Sequence, residues 1–217
     1  MCGRFTIMLD PEDFQRELEL GELPPGFEPD SNVSPGNSIP VVVDAVKRNV
    51  ELYRWGLIPS WAKDVAIGSK MINARAETIS EKPSFRNAFN RRRCLILADG
   101  FYEWKNEGNR KQPYRFKLLD ERPFTFAGIW EHWQDNTGKI IPSCAIITTT
   151  PNTVLQDYHD RMPVILNKEN RWKWLDTTTT IPILQSMLQP YPDDQMAVPQ
   201  KTDPKLLFIV RRNVSQK

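Results

Sequence analysis

The sequence predicts an α+β protein with a curved, largely antiparallel, barrel-like sheet system and short peripheral helices. Three observations lead there. Strand-like segments outnumber helical ones, the two do not alternate regularly, and 18 prolines favour short, irregular elements. No internal repeat or clear linker divides the 217 residues, which are enough to bury a substantial core. A single domain over 1–217 is expected.

In chain order, Asp10, Pro11 and Asp13 read as an N-cap, a first-turn proline and an acidic first turn. The helix they open runs to about Leu20 and buries Phe14 and Leu18, four residues apart. The proline-punctuated ELPPGFEPDSNVSPGNSIP is a long loop. VVVDAV and NVELYRWGL follow as paired strands around a turn near Lys47, Arg48 and Asn49. KPSFRNAFN is a short helix with Pro83 near its start and Phe85 and Phe89 on one face. CLILADGFYEWK is a buried strand running into a segment rich in aromatic residues, and YRFKLL, FTFAGIWEHW and PSCAIITTT are further strands. TPNTVLQDYH reads as a helix capped by Thr150, with Pro151 at its first position. Met162 and Pro163 stop it, and VIL resumes as a strand. NRWKWLD and PILQSML are short helices, and LLFIV is a last strand.

Composition narrows the class. Hydrophobic content of 40% and charged content of 26% suit an ordinary globular protein. No run approaches the roughly 20 apolar residues of a membrane helix, and the start turns polar within four residues, unlike a secretory signal. The expected location is the cytoplasm, or the nucleus in a eukaryote. Cys2, Cys94 and Cys144 are odd in number and widely spaced, which argues against a disulfide framework. With no C-x-x-C and only His132 and His159, a structural zinc site is not expected, and no Gly-rich nucleotide motif is present. An enzyme built this way would work without metal or cofactor.

Net charge is only +2, but it is unevenly spread. Residues 70–93 hold seven Lys/Arg against two Glu, whereas residues 10–22 hold six acids against one Arg. The first run can attract phosphates and the second repels them. Each run also fits a plain solvated face.

Four stretches set polar residues in unusual surroundings. MCGRFT places a cysteine second; removal of Met1 would leave an α-amine and a thiol on neighbouring carbons, a pair that converts aldehydes to thiazolidines. In MINARAET, Asn73 and Arg75 share one face of an extended segment. In ADGFYEW, Glu103 lies between Tyr102 and Trp104, where an acid is either exposed at a strand end or carries a raised pKa. In YHDRMP, His159 closes the expected helix, as a proton-transfer group or as a C-terminal capping base.

Taken together, MCGRF, NVSP (Asn32 to Pro35), RWGLIPSWA, NARAET, DGFYEW and HDRMP resemble the SOS-response-associated peptidase family of abasic-site processing proteins, in order and spacing. The resemblance runs from Cys2 to at least Pro163. It implies that Cys2, made N-terminal by loss of Met1, is the nucleophile, and that Asn73, Glu103 and His159 complete the catalytic set. It further implies that Arg4, Arg75 and Arg161 hold the DNA backbone. Trp61 and a loop around Ile39 and Pro40 are implied as a wedge that splays bases. The implied partner is single-stranded DNA containing an abasic site, met by a monomer with neither metal nor membrane involved. The implied product is a thiazolidine crosslink, with self-removal of Met1 as a second activity. Cations such as Arg4 are expected to lower the Cys2 thiol pKa. Two other readings stay open: a cysteine hydrolase acting on external peptides, and a non-covalent single-stranded nucleic-acid binding module.

Overall fold

The computed structural model describes residues 2–205 and Leu207. Strand β1 (Phe5–Ile7) follows directly on Cys2, and α1 (Pro11–Leu18) comes next. Pro11 opens α1, and Phe14 and Leu18 form its buried face, as the spacing predicts. Asp10 has the extended backbone of a cap, but its side chain makes no cap bond. After β2 (Asp30–Val33), β3 (Ser38–Val42) and β4 (Val50–Trp55) pair antiparallel across a turn that brings Val42 opposite Val50. The chain then forms β5 (Asn73–Arg75), α2 (Arg86–Arg91), β6 (Arg93–Ala98), β7 (Gly100–Glu107) and β8 (Arg110–Phe116). The long strands β9 (Phe124–Gln134) and β10 (Ile140–Thr149) follow, then the short β11 (Met162–Pro163) and β12 (Ile165–Leu166). Helices α3 (Lys168–Leu175) and α4 (Ile181–Ser186) and strand β13 (Gln200–Lys201) complete the order.

Five strands close into a barrel in the order β9, β6, β3, β4, β10 and back to β9. Every pair is antiparallel except β4 with β10. The second sheet, β13-β8-β7-β1-β2, is antiparallel throughout. Phe5 of β1 locks the two together: its ring lies 5.1 Å from Trp55 of β4 and 5.8 Å from Phe126 of β9. The fold is thus the expected α+β class. Among the described residues, no helix is long and apolar enough to cross a membrane.

The passage CLILADGFYEW is two strands, not one. The chain leaves the barrel at Ala98 and enters the second sheet at Gly100. Asp99 makes the corner. It is 3% exposed and accepts from Thr6 Oγ1 at 2.5 Å, Leu9 N at 2.8 Å, Arg115 Nη2 at 3.1 Å and also Met8 N. A Cβ on Gly100 would sit 2.7 Å from Arg115 Nε and 2.8 Å from Thr6 Oγ1, so no larger residue fits that close approach.

Other expectations need correcting. TPNTVLQDYH is a run of turns, because Asn152 rather than Thr150 caps it. Asn152 Oδ1 takes Leu155 N at 3.1 Å, and only Gln156 and His159 make four-residue backbone bonds. Residues 39 and 40 form no loop either: Pro40 is buried in β3, opposite Leu52. β3 meets β6 only at Val41 and Val42, so at Pro40 a missing N–H breaks no ladder on that side. The strand expected over LLFIV lies outside the described residues except for Leu207.

Candidate active site

β1 and β7 set the centre of the site. Their register pairs Phe5 with Phe101 and Thr6 with Gly100, and Tyr102 N donates to Arg4 O at 2.9 Å. Continuing that register brings Gly3 beside Glu103 and Cys2 beside Trp104. β5 approaches from the barrel side, where it pairs in parallel with β10, Asn73 opposite Ile146. From there Asn73 Nδ2 donates to Cys2 O at 3.0 Å, while its Oδ1 is buried without a partner. Cys2, Asn73 and Glu103, far apart in sequence, are therefore assembled.

Electrostatics separate their roles. Cys2 is fully buried, and burial pushes its thiol well up, with the Glu103 charge adding to the rise. Arg4 lowers it through its backbone rather than through the expected charge. The Arg4 side chain donates to Asn32 Oδ1, and its backbone carbonyl lies 3.9 Å from Sγ. Glu103 is 1% exposed, and burial, reinforced by the Asp160 charge, lifts its carboxyl to about 7. At neutral pH it can therefore both give and take a proton.

His159 follows the turns after β10. Its Nδ1 has two neighbours that want opposite states. Arg161 N donates to it at 3.0 Å, which requires a bare nitrogen, while Asp160 Oδ1 at 2.9 Å favours a proton there. Burial is the larger influence and holds His159 below its ordinary pKa, so the neutral imidazole with its proton on Nε2 is the resting form. Protonation would exchange the Arg161 amide for Asp160.

The cationic residues divide. Arg161 grips Glu77 with two bonds of 2.7 and 2.9 Å and donates to Thr148 O at 2.7 Å, which holds Glu77 below its usual range. Its side chain is 11% exposed, so it braces the site more than it faces solvent. Arg75 is exposed and lines a cleft of about 270 Å³ with Asn73, Arg161, Lys70 and Lys82. Lys70 and Lys82 were not singled out in the sequence, although both sit in its basic run. That run is not uniform, because Arg93 at its end is 4% exposed and donates to the carbonyls of Phe89, Asn90, Trp174 and Asp176. Trp61 is 59% exposed on a loop pinned by Trp133 Nε1, which donates to Ala62 O at 2.7 Å. Ile39 and Pro40, by contrast, are buried in the barrel wall and as they stand present nothing to splay bases.

Comparison with known proteins gives concordant results. The family model described as SOS response associated peptidase (SRAP) matches residues 1–202. Abasic site processing protein YoqW of Bacillus subtilis is 48% identical over 201 residues, covering 90% of this chain and 90% of that protein. Abasic site processing protein HMCES of Xenopus tropicalis is 31% identical, over 81% of this chain and 66% of its own length. A crystal structure of a Bacteroides thetaiotaomicron protein superposes with a TM-score of 0.86 at 28% identity, covering 95% of this chain and 94% of that one. One from Bordetella bronchiseptica gives 0.82 at 26% identity, covering 93% of this chain and 100% of that one.

Proposed function

The chain belongs to the SOS response associated peptidase family, and from that premise we propose that it processes abasic sites in DNA through a covalent bond to Cys2. The observation that carries this reading is the grip on Cys2: Asn73 holds its carbonyl at 3.0 Å, next to a buried Glu103 that titrates near 7.

Loss of Met1 turns the Cys2 amide into an amine with an ordinary pKa of about 7.7–8.0, nucleophilic in part at neutral pH. A base-free deoxyribose equilibrates with its open aldehyde. The Cys2 amine adds to that carbon, water leaves, and an imine remains. Sγ then closes on the imine carbon, the thiol proton passing to nitrogen, and a five-membered thiazolidine results. Closure is intramolecular and gains from a high effective concentration.

Glu103 takes a proton from the Cys2 ammonium, freeing the amine to attack, and delivers one to the departing oxygen. It is also the base for a thiol that its own charge and burial keep protonated. Neutral His159 moves the proton of the sugar hydroxyl during ring opening. Asn73 Oδ1, a buried acceptor with no protein partner, suits the sugar or the Cys2 amine. Arg75, Lys70 and Lys82 attract phosphates, and exposed Trp61 stacks on bases of a single strand. The main apolar core takes in residues of both sheets and supports one working domain.

The deciding experiment mixes purified protein with an oligonucleotide carrying one abasic site and resolves the products on a denaturing gel. A shifted band that needs the lesion and vanishes in Cys2→Ala is expected; a band that survives Cys2→Ala overturns the mechanism. Extending the chain by two residues ahead of Cys2 should abolish the band, whereas a thiol hydrolase would tolerate the extension. The family's name supports a second step, removal of Met1 by the Cys2 thiol itself. Mass spectrometry of protein made without methionine aminopeptidase tests it, since retained Met1 would exclude self-processing.

A further inference from the structure

A second cavity, about 820 Å³, opens between α1, the β8–β9 connection, α3 and the segment after α4, and shares no wall residue with the cleft beside Asn73. Arg171 of α3 forms part of its wall. It is 6% exposed, its Nε and Nη1 are buried without an acceptor, and among the described residues its side chain makes no hydrogen bond or ion pair. A buried guanidinium stays charged, and burying it unpaired is costly. Arg93 shows what a structural arginine looks like in this fold: just as buried, it donates to four carbonyls.

Five acids line the cavity, Glu17, Glu19, Asp120, Glu169 and Asp194, and none forms an ion pair with Arg171. Glu19, whose charge acts on it most, is already held by Arg48 at 3.2 Å and Lys168 at 3.3 Å. Glu17 pairs with Arg16 at 3.3 Å, and Asp120 with Arg122 at 2.5 Å. The start of the eight-residue α3 lies in the same wall, capped by Asn167, whose Oδ1 accepts from Asn170 N at 2.9 Å. Its first-turn amides add positive potential. Buried Leu118, Phe124 and Met187 supply apolar surface.

We propose that this cavity is a second ligand site, taking the oxyanion of a small molecule with an apolar body, and that Arg171 is its counter-charge. The oxyanion is a phosphate ester or a carboxylate. This inference is independent of the chemistry at Cys2.

The test titrates DNA-free protein with inorganic phosphate, deoxyadenosine monophosphate and benzoate, read by calorimetry and thermal shift. Saturable binding of at least one probe is expected, and which probe binds identifies the head group. Arg171→Met should weaken that binding about tenfold or more, Arg171→Lys should restore part of it, and Arg75→Ala should leave it unchanged. Without ligand, Arg171→Met should melt no lower than wild type, because the guanidinium makes no protein hydrogen bond or ion pair and methionine keeps the apolar stem. No saturable binding into the millimolar range overturns the proposal. So does binding that Arg171→Met leaves intact, or binding lost in Arg75→Ala instead.

Discussion

Burial lifts the Glu103 carboxyl to about 7, whereas an unfolded chain ionises a glutamate near 4.3. The folded state therefore holds this proton more tightly, and the resulting stabilisation is complete below about pH 4 and disappears as pH rises through 7. Glu103→Gln removes the penalty of ionising the buried group. Denaturant melts of both proteins should show the variant gaining on wild type between about pH 5 and pH 8, by on the order of 3 kcal/mol; parallel curves would contradict the raised pKa. In the crosslinking assay the same substitution should cost about 100-fold in rate and flatten the pH profile near 7. His159→Ala should slow crosslinking of the closed-ring lesion, while a substrate already opened to its aldehyde should be spared. The sequence made Glu103 conspicuous as an acid among aromatic residues. It could not give the depth of burial, which outweighs any lowering and pushes the Cys2 thiol up.

Elements whose signal is local were legible: the proline-opened α1, the β3–β4 hairpin, and the long apolar strands β9 and β10. Those decided by a single side chain were not. Asn152 caps a run of turns where the Thr150–Pro151 pair advertises a helix, and Asp99 splits one apolar run between two sheets. Asp99 also secures the exit of β1, whose entrance bears Cys2. Asp99→Ala would strand Arg115 and two backbone amides, so equilibrium unfolding should show a loss of about 3–5 kcal/mol. Asp99→Asn, which keeps the corner's shape but not its charge, should lose less. A fully stable Asp99→Ala protein would mean that the corner is held by other contacts.

For the molecule as a whole, the α+β class and a barrel-like sheet could be read from the sequence, but which strands meet to close the barrel could not. The closing contact joins β4 to β10 in parallel, and β5 pairs with β10 further along, pairings set by distant segments rather than by local pattern. The basic run was visible too, yet only the fold separates Arg93, buried among carbonyls, from Lys70, Arg75 and Lys82 at the cleft. Arg75→Ala should therefore weaken non-covalent capture of single-stranded DNA and reduce the slope of log affinity against log salt by about 0.7. Arg93→Ala should lower the melting temperature instead. The short run from Cys2 into β1 has a mechanical outcome. Only Gly3 and Arg4 separate Cys2 from the first barrel-linked ring, Phe5, so the leash is at most about 10 Å long. A strand caught there has almost no slack, and a nuclease or polymerase travelling along it would run into the rigid body of the protein instead of a swinging tether.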